Sequence, residues 1–279
     1  MMSGANVMVI AEKELLESMR SRWLVTFTII FGLLALLISF FGLSGMGVGG
    51  YQGFNRVTAS LLNLVLYLLP LIALVIGSST IAGEKEVGSL HVLLTQPVSK
   101  SEVIIGKFLG LALALTASIL AGFGSAGVVI AWKTGTINIV DYLVFVILSI
   151  VLTLVFLSMS LLISVVTTRR SQAVAIAIFV WFFTILVYDF LAIGIASLQQ
   201  VTVVVPLLLT LLLLNPADMV RVLVILQLGG EETFGPTLAA LTRMMGSGSG
   251  EVLLGVVLFL WLFGPLGLSV WIFSRKQDY

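Results

Sequence analysis

Six stretches, at 23–43, 58–81, 103–131, 141–166, 172–197 and 251–273, run almost without charge for the ~20 residues that a hydrocarbon core ~30 Å thick requires of a helix. Backbone N–H and C=O groups find no water in lipid, so such runs are confined to structures that satisfy their own hydrogen bonds. The composition points the same way: 59% of the residues are hydrophobic and only 10% are charged, where a globular domain is about a quarter charged. The chain reads as an all-α integral membrane protein with six transmembrane helices. Its start is not that of a secretory signal, because Glu12, Glu14 and Glu17 precede a run of full spanning length.

Orientation follows from the cations. With six crossings, Lys13, Arg20, Arg22, Lys85, Lys100, Lys107, Arg169, Arg170, Arg275 and Lys276 fall on one side and Arg56, Lys133, Arg221 and Arg243 on the other. The richer side belongs in the cytoplasm. Both termini are therefore expected there, in a multi-pass protein of the cell (inner) membrane. The net charge of +1 gives no reason to expect a nucleic-acid partner; the partner that composition demands is membrane lipid.

Two further segments are apolar without being spans. VTVVVPLLLTLLLL, 201–214, is too short to cross and has the length of a re-entrant segment. Asn215, Pro216 and Asp218 then suit the N-cap, first and third positions of a new helix, with Gly229 as its stop. An external re-entrant hairpin before the last span keeps the count at six. Ahead of the first span, Met8, Ala11, Leu15 and Met19 recur at helical spacing and Arg22 and Trp23 can anchor at headgroup level, so an N-terminal interfacial helix is expected. In the third span Gly106, Gly110, Ala114, Ala117, Ala121 and Gly124 make a face of small side chains, suited to a dimer or pathway seam or to packing within one bundle.

No catalytic residue or metal-ligand set emerges. Around Gly106-Lys107 a phosphate-binding loop would need glycine where Ser101 stands and Ser or Thr where Phe108 stands. Cysteine is absent, His91 is the single histidine, and the methionines are scattered, so neither a zinc nor a copper site is encoded. Asp189, near the outer end of the fifth span, is either a functional intramembrane acid or a hydrated interfacial one.

One charged island, GEKEVGSLHVLLTQPVSKSEV at 83–103, separates the second and third spans. It reads as a short amphipathic helix with Val87, Leu90 and Leu94 as its apolar stripe, Glu84, Lys85 and Glu86 at its start, Gly88 and His91 within it, and Pro97 as its end. Ser99 and Glu102 form a capping box that opens the third span. Glu84-x-Glu86-x-Gly88-Ser89-Leu90, followed by Leu93-Leu94, Pro97-Val98-Ser99, Glu102 and Gly106-Lys107, resembles the signature between the second and third spans of ABC-2-type ABC transporter permeases.

That resemblance implies one transmembrane permease domain over 1–279, no enzymatic activity and no cofactor in this chain, with ATP and Mg held by a cytoplasmic ABC ATPase. It also implies a homodimer and makes the island a cytoplasmic coupling helix. Lys13-Glu14-Leu15, Ser18-Met19-Arg20-Ser21-Arg22-Trp23 and LLLLNPADMVR at 211–221 resemble the members that serve copper-site maturation of nitrous-oxide reductase. They imply a NosF-like ATPase, a periplasmic NosD-like protein and a copper-chaperone lipoprotein as partners. Transport of a substrate, by this system or as a generic exporter of a small molecule or lipid, and mechanical adaptation to an external partner both stay open; no continuous polar lining is visible along any span, which suits an adaptor or a lipid-like cargo.

The charge asymmetry makes a direct prediction. A single cysteine placed at Ser274 is expected to resist an impermeant thiol reagent added to intact cells and to react once the cells are opened; labelling of intact cells would overturn the six-span map.

Overall fold

The computed structural model describes residues 4–44, 51–134, 139–196, 201–228 and 248–275, and every regular element among them is helical. α1 (Gly4–Arg20) breaks at Ser21 into α2 (Arg22–Ser44), and α3 (Tyr51–Val87) leads through the short α4 (Ser89–Leu94) to α5 (Lys100–Thr134). α6 (Ile139–Val166) and α7 (Arg170–Phe182) follow. A π-helical stretch, Phe183–Val187, joins α7 to α8 (Tyr188–Ala196), before α9 (Val201–Leu214), α10 (Pro216–Leu228) and α11 (Ser249–Arg275). Among the described residues six helical stretches are long and apolar enough to cross a membrane: Arg22–Gly42, Val57–Val87, Lys100–Lys133, Ile139–Val166, Arg170–Ile195 and Gly250–Arg275. Gly229 and Lys276 lie outside the described residues.

α5 is the spine of the first half. Ile10 meets it at Gly106, Ala11 and Glu14 at Gly110, and Phe31 and Gly32 at Gly122; Thr28 Oγ1 lies 2.9 Å from Ser118 Oγ, and Lys133 Nζ donates 2.9 Å to Phe40 O at the far end. α1 and α2 thus follow α5 in the same direction. A Cβ on Gly110 would stand 2.5 Å from the Ala11 carbonyl oxygen and 2.6 Å from Glu14 Cβ, so only glycine admits α1 there. The small-residue face divides: Gly106 and Gly110 seat α1, whereas Ala117, Ala121 and Gly124 are exposed.

The buried face of α1 is not its apolar stripe. Ile10, Ala11, Glu14 and Ser18 face inward, while Met8 and Met19 are exposed and Leu15 is only partly buried. The inward face carries an acid, Glu14, and so is not legible from apolar periodicity.

α3 and α6 run side by side in parallel. A Cβ at Gly77 would overlap the Ser160 hydroxyl, and Ser164 Oγ accepts from the Ile81 and Ala82 N–H groups at 2.9 Å each. α11 continues the layer, with Ser158 Oγ donating 2.6 Å to Leu262 O. α7 runs antiparallel to α3: its first N–H reaches Glu86, and further along Trp181 Nε1 donates 2.9 Å to Tyr67 O. α9 and α10 meet at 104°. Trp261 Nε1, midway along α11, donates 3.2 Å to Leu213 O beside that break. From there α10 leads back to Gln227, whose Nε2 donates 3.1 Å to Asp141 Oδ1 at the start of α6.

The α1–α5 seam is testable. Gly110→Val is expected to destabilise the protein in detergent by about 1–3 kcal/mol, the cost of overpacking, and to open α1 to protease. Gly124→Ala, where an added Cβ meets nothing within 4 Å, should do neither; thermal unfolding and limited proteolysis of both variants check this.

Candidate functional site

The island folds as two helices, not one. α3 continues to Val87 and stops because Gly88 takes φ +80°, a left-handed conformation that glycine adopts without strain and that commonly ends helices. Glu84, Lys85 and Glu86 therefore belong to the last turn of α3, and Ser89–Leu94 forms the separate α4. Pro97 lies beyond α4, and α5 opens on the expected capping box: Ser99 N donates 2.8 Å to Glu102 Oε2 and Glu102 N donates 3.3 Å to Ser99 Oγ. Asn6 Nδ2 of α1 donates to the same Glu102 oxygen at 3.2 Å and to Pro97 O at 3.3 Å.

The charges of the island turn inward. Lys107 Nζ, its side chain 3% exposed, lies 2.8 Å from Glu84 Oε1 and 2.8 Å from Glu14 Oε2, so one cation from α5 joins α3 to α1. Glu84 Oε2 is buried with no hydrogen-bond partner among the described residues. Lys85 Nζ donates to Val165 O at 2.6 Å, Thr167 O at 3.0 Å and Ser164 O at 3.3 Å, covering carbonyls that the end of α6 leaves open. Glu86 Oε2 accepts the Arg170 N–H at 2.7 Å where α7 starts, the favoured end for an anion. Three consecutive residues thus fasten α3 to α1, α5, α6 and α7.

The expected apolar stripe does not survive as one face. Leu90 is 1% exposed and belongs to the protein's own core, while Val87 is 82% and Val92 66% exposed. Leu94 packs partly against that core, and His91 is exposed. The break at Gly88 rotates α4 relative to α3, so a single helical wheel across both cannot hold. Outward lie Val87, His91 and Val92.

A second polar cluster lies within the bundle. Asp189 of α8 is neither solitary nor simply hydrated: Arg221 Nη1 and Nη2 of α10 reach its two oxygens at 2.9 and 3.4 Å. Arg221 Nη1 also lies 3.0 Å from Asp218 Oδ1. Asn215 caps α10 as expected, its Oδ1 accepting the Ala217 N–H at 3.1 Å, while its Nδ2 donates 2.8 Å to Asp218 Oδ2 and 2.8 Å to Thr184 O. Thr184 lies in the π-helical stretch, and Pro216 opens α10, where its missing N–H costs no helical bond.

The sequence reading missed Glu14, Lys107 and Arg221 as partners. The signal was present: an ionisable group within an apolar span demands a counter-charge, and Arg221 stands three residues after Asp218, a spacing that pairs on a helix.

The model of the family described as ABC-2 family transporter protein matches residues 8–277. A protein of Stutzerimonas stutzeri named "Probable ABC transporter permease protein NosY" is 33% identical over 279 residues, covering 96% of this chain and 97% of the relative. A protein of the same name from Pseudomonas aeruginosa is 33% identical over 276 residues, covering 97% and 98%.

Removing Lys107 leaves two carboxylates without their shared cation, and breaking a buried pair from one side costs roughly 3–5 kcal/mol. Lys107→Met is expected to lower folded yield and unfolding temperature in detergent. Adding Glu14→Gln and Glu84→Gln should recover much of the loss, since an uncharged replacement of a buried ion group is often close to neutral.

Proposed function

Because the chain belongs to the ABC-2 transporter family, as a membrane permease subunit of an ABC transporter and not as an enzyme, we propose that α4 and the adjoining end of α3 receive the motion of a separate cytoplasmic ATPase. One observation carries this reading: the segment is uncovered on one side, at Val87, His91 and Val92, and on the other is tied through Glu84, Lys85 and Glu86 to four helices of the bundle. An element that only floated on the surface would lose a push in its own flexibility. Here a push on α4 is delivered to α3, against which α4 packs, and from α3 to α1, α5, α6 and α7 through the charges. Pro97 and the Ser99–Glu102 box fix how α4 passes into α5.

The remaining parts take their roles from this one. The whole chain, 1–279, acts as one permease domain with both termini in the cytoplasm of a cell whose inner membrane it crosses six times. α1 lies at the cytoplasmic interface, held by Gly110 and Lys107. α9 and α10 form an external re-entrant hairpin; the 104° bend and the contact of Gln227 with Asp141 support a return to the side of entry.

The 33% identity to the two NosY permeases over nearly the whole chain, together with the resemblance of its short motifs, supports work in copper-site maturation of nitrous-oxide reductase. In that setting two copies of the chain pair with two NosF-like ATPases, which bind ATP and Mg, and with a periplasmic NosD-like protein, a copper-chaperone lipoprotein acting nearby.

The test separates surface from core. Val87→Asp with Val92→Asp should insert and unfold normally yet lose ATPase co-purification and coupled ATP hydrolysis. Leu90→Asp should also lower thermal stability, because it places a charge in the permease's core. Normal coupling in the Val87/Val92 variant would overturn the reading, and a mass showing one permease chain per pair of ATPases would reject the dimer.

A further inference from the structure

The fifth span changes its winding part-way. Between Phe183 and Val187 it is π-helical, a rare form whose bonds close on the fifth residue back instead of the fourth and which recurs at functional sites. The Tyr188 N–H accordingly donates to Phe183 O and leaves Thr184 O, its α-helical acceptor, to another donor. That donor is Asn215 Nδ2, at 2.8 Å, from the residue that caps α10. The Thr184 hydroxyl covers the Val180 and Trp181 carbonyls just ahead, at 2.8 and 3.3 Å. A carbonyl left bare among apolar helices is costly, so the π winding and the docked α9–α10 pair support one another.

The opposite winding is also satisfied. With the Tyr188 N–H returned to Thr184 O, that carbonyl is covered from within its own helix, and Asn215 Nδ2 keeps Asp218 Oδ2 as acceptor. Two packings that each satisfy their polar groups are what a two-position element requires. The charges are arranged for both. Asp218 stands three residues before Arg221 on the same helix, its side chain 15% exposed, and stays with the arginine whatever the fifth span does. Asp189 is on α8 and 33% exposed, so its place depends on the winding. Converting the π turn to α-helix turns α8 by ~100° and advances it by ~1.5 Å, the step of one residue. Tyr188 then stands where Asp189 stands, and Asp189 leaves an arginine that Asp218 still neutralises.

We propose that Phe183–Val187 is a two-position joint, π-helical while Asn215 and Arg221 hold it and α-helical when the α9–α10 pair draws away, so that movement of that pair becomes rotation of α8. Asn215 is the positioning residue, keyed to the π form through Thr184 O, and the Asp189–Arg221 contact is the latch. The joint needs only these contacts inside the bundle, and is independent of how α4 meets an ATPase and of the side on which the α9–α10 pair lies.

The experiment is a distance measurement between two spin labels on the full-length chain, which has no cysteine of its own, diluted with unlabelled chain. One label sits on Ile147→Cys of α6 and the other on Phe190→Cys or, separately, Leu191→Cys of α8, all exposed positions; a rotation that leaves one distance unchanged alters the other. Asn215→Asp keeps the oxygen that caps α10 and loses the donor to Thr184 O. It should shift at least one distance by up to ~8 Å, the chord of a ~100° turn at a helix radius of ~5–6 Å. Asp189→Asn, which weakens the latch from the other side, should give a mixture of the original and shifted distances. Deleting Leu186 places Phe183 four residues before Tyr188, so the same N–H reaches the same carbonyl by an ordinary α-helical bond. Added to Asn215→Asp, this deletion should restore the wild-type distances, a rescue that a merely destabilised cap would not show. A shift that the deletion leaves in place would overturn the proposal. So would wild-type distances in Asn215→Asp or, should that variant fail to fold, in Asp189→Asn.

Discussion

The ammonium of Lys107, held between the carboxylates of Glu14 and Glu84 at 2.8 Å each, is the contact from which the end of the bundle nearest α4 is organised. Taking an ion out of water costs several kcal/mol even in a real protein interior. That cost makes the pairing compulsory: α1 cannot leave α5 without stranding Glu14, and α3 cannot slide past α5 without stranding Glu84. Apolar side chains alone would not fix these positions, because lipid is as good a neighbour for leucine as another leucine is. The two glycines under α1 and the Ser164 hydroxyl beneath α3 supply close packing. The ion triad supplies register.

The same logic repeats deeper in the bundle with different atoms. Where α9 turns sharply into α10, backbone groups are released from helical bonding in a region with little water to receive them. Asn215 covers the new N-terminus and reaches across to Thr184 O in the π-helical stretch, and Arg221 spans Asp218 and Asp189. A sharply bent helix pair and a wound-out turn of helix, each costly by itself, accommodate one another through four side chains. The bent helix pair is thereby fixed to the last part of the fifth span.

Two polar anchors stand at opposite ends of α7 and the π-helical stretch that continues it. At one end the first N–H of α7 is held by Glu86; at the other Thr184 and Asp189 meet the hairpin. α7 and the π-helical stretch thus join the end of α3 to α9 and α10. A groove between α2, α3 and α7 opens along the same helix.

The sequence by itself determined the six spans, the Ser99–Glu102 box and the Asn215 cap, since each rests on local rules: run length against bilayer thickness, and side chains that bond their own neighbouring backbone. It also located the charged island, because charge is conspicuous among apolar residues. What the tertiary structure alone decided is which way those charges and stripes face. Glu84, at the start of the island, lies against Lys107, twenty-three positions on; Leu90, on the island's apolar stripe, lies in the core; Met8 and Met19 carry the apolar periodicity of α1 and are exposed, while Glu14 is buried. Asp189 became intelligible only with Arg221, thirty-two positions away. The physical reason is common to all of them. In a bundle where every helix is apolar on most sides, hydrophobic periodicity hardly distinguishes an inward face from a lipid-facing one, and the direction is chosen by a few long-range ion pairs and glycine contacts whose partners are close only after folding.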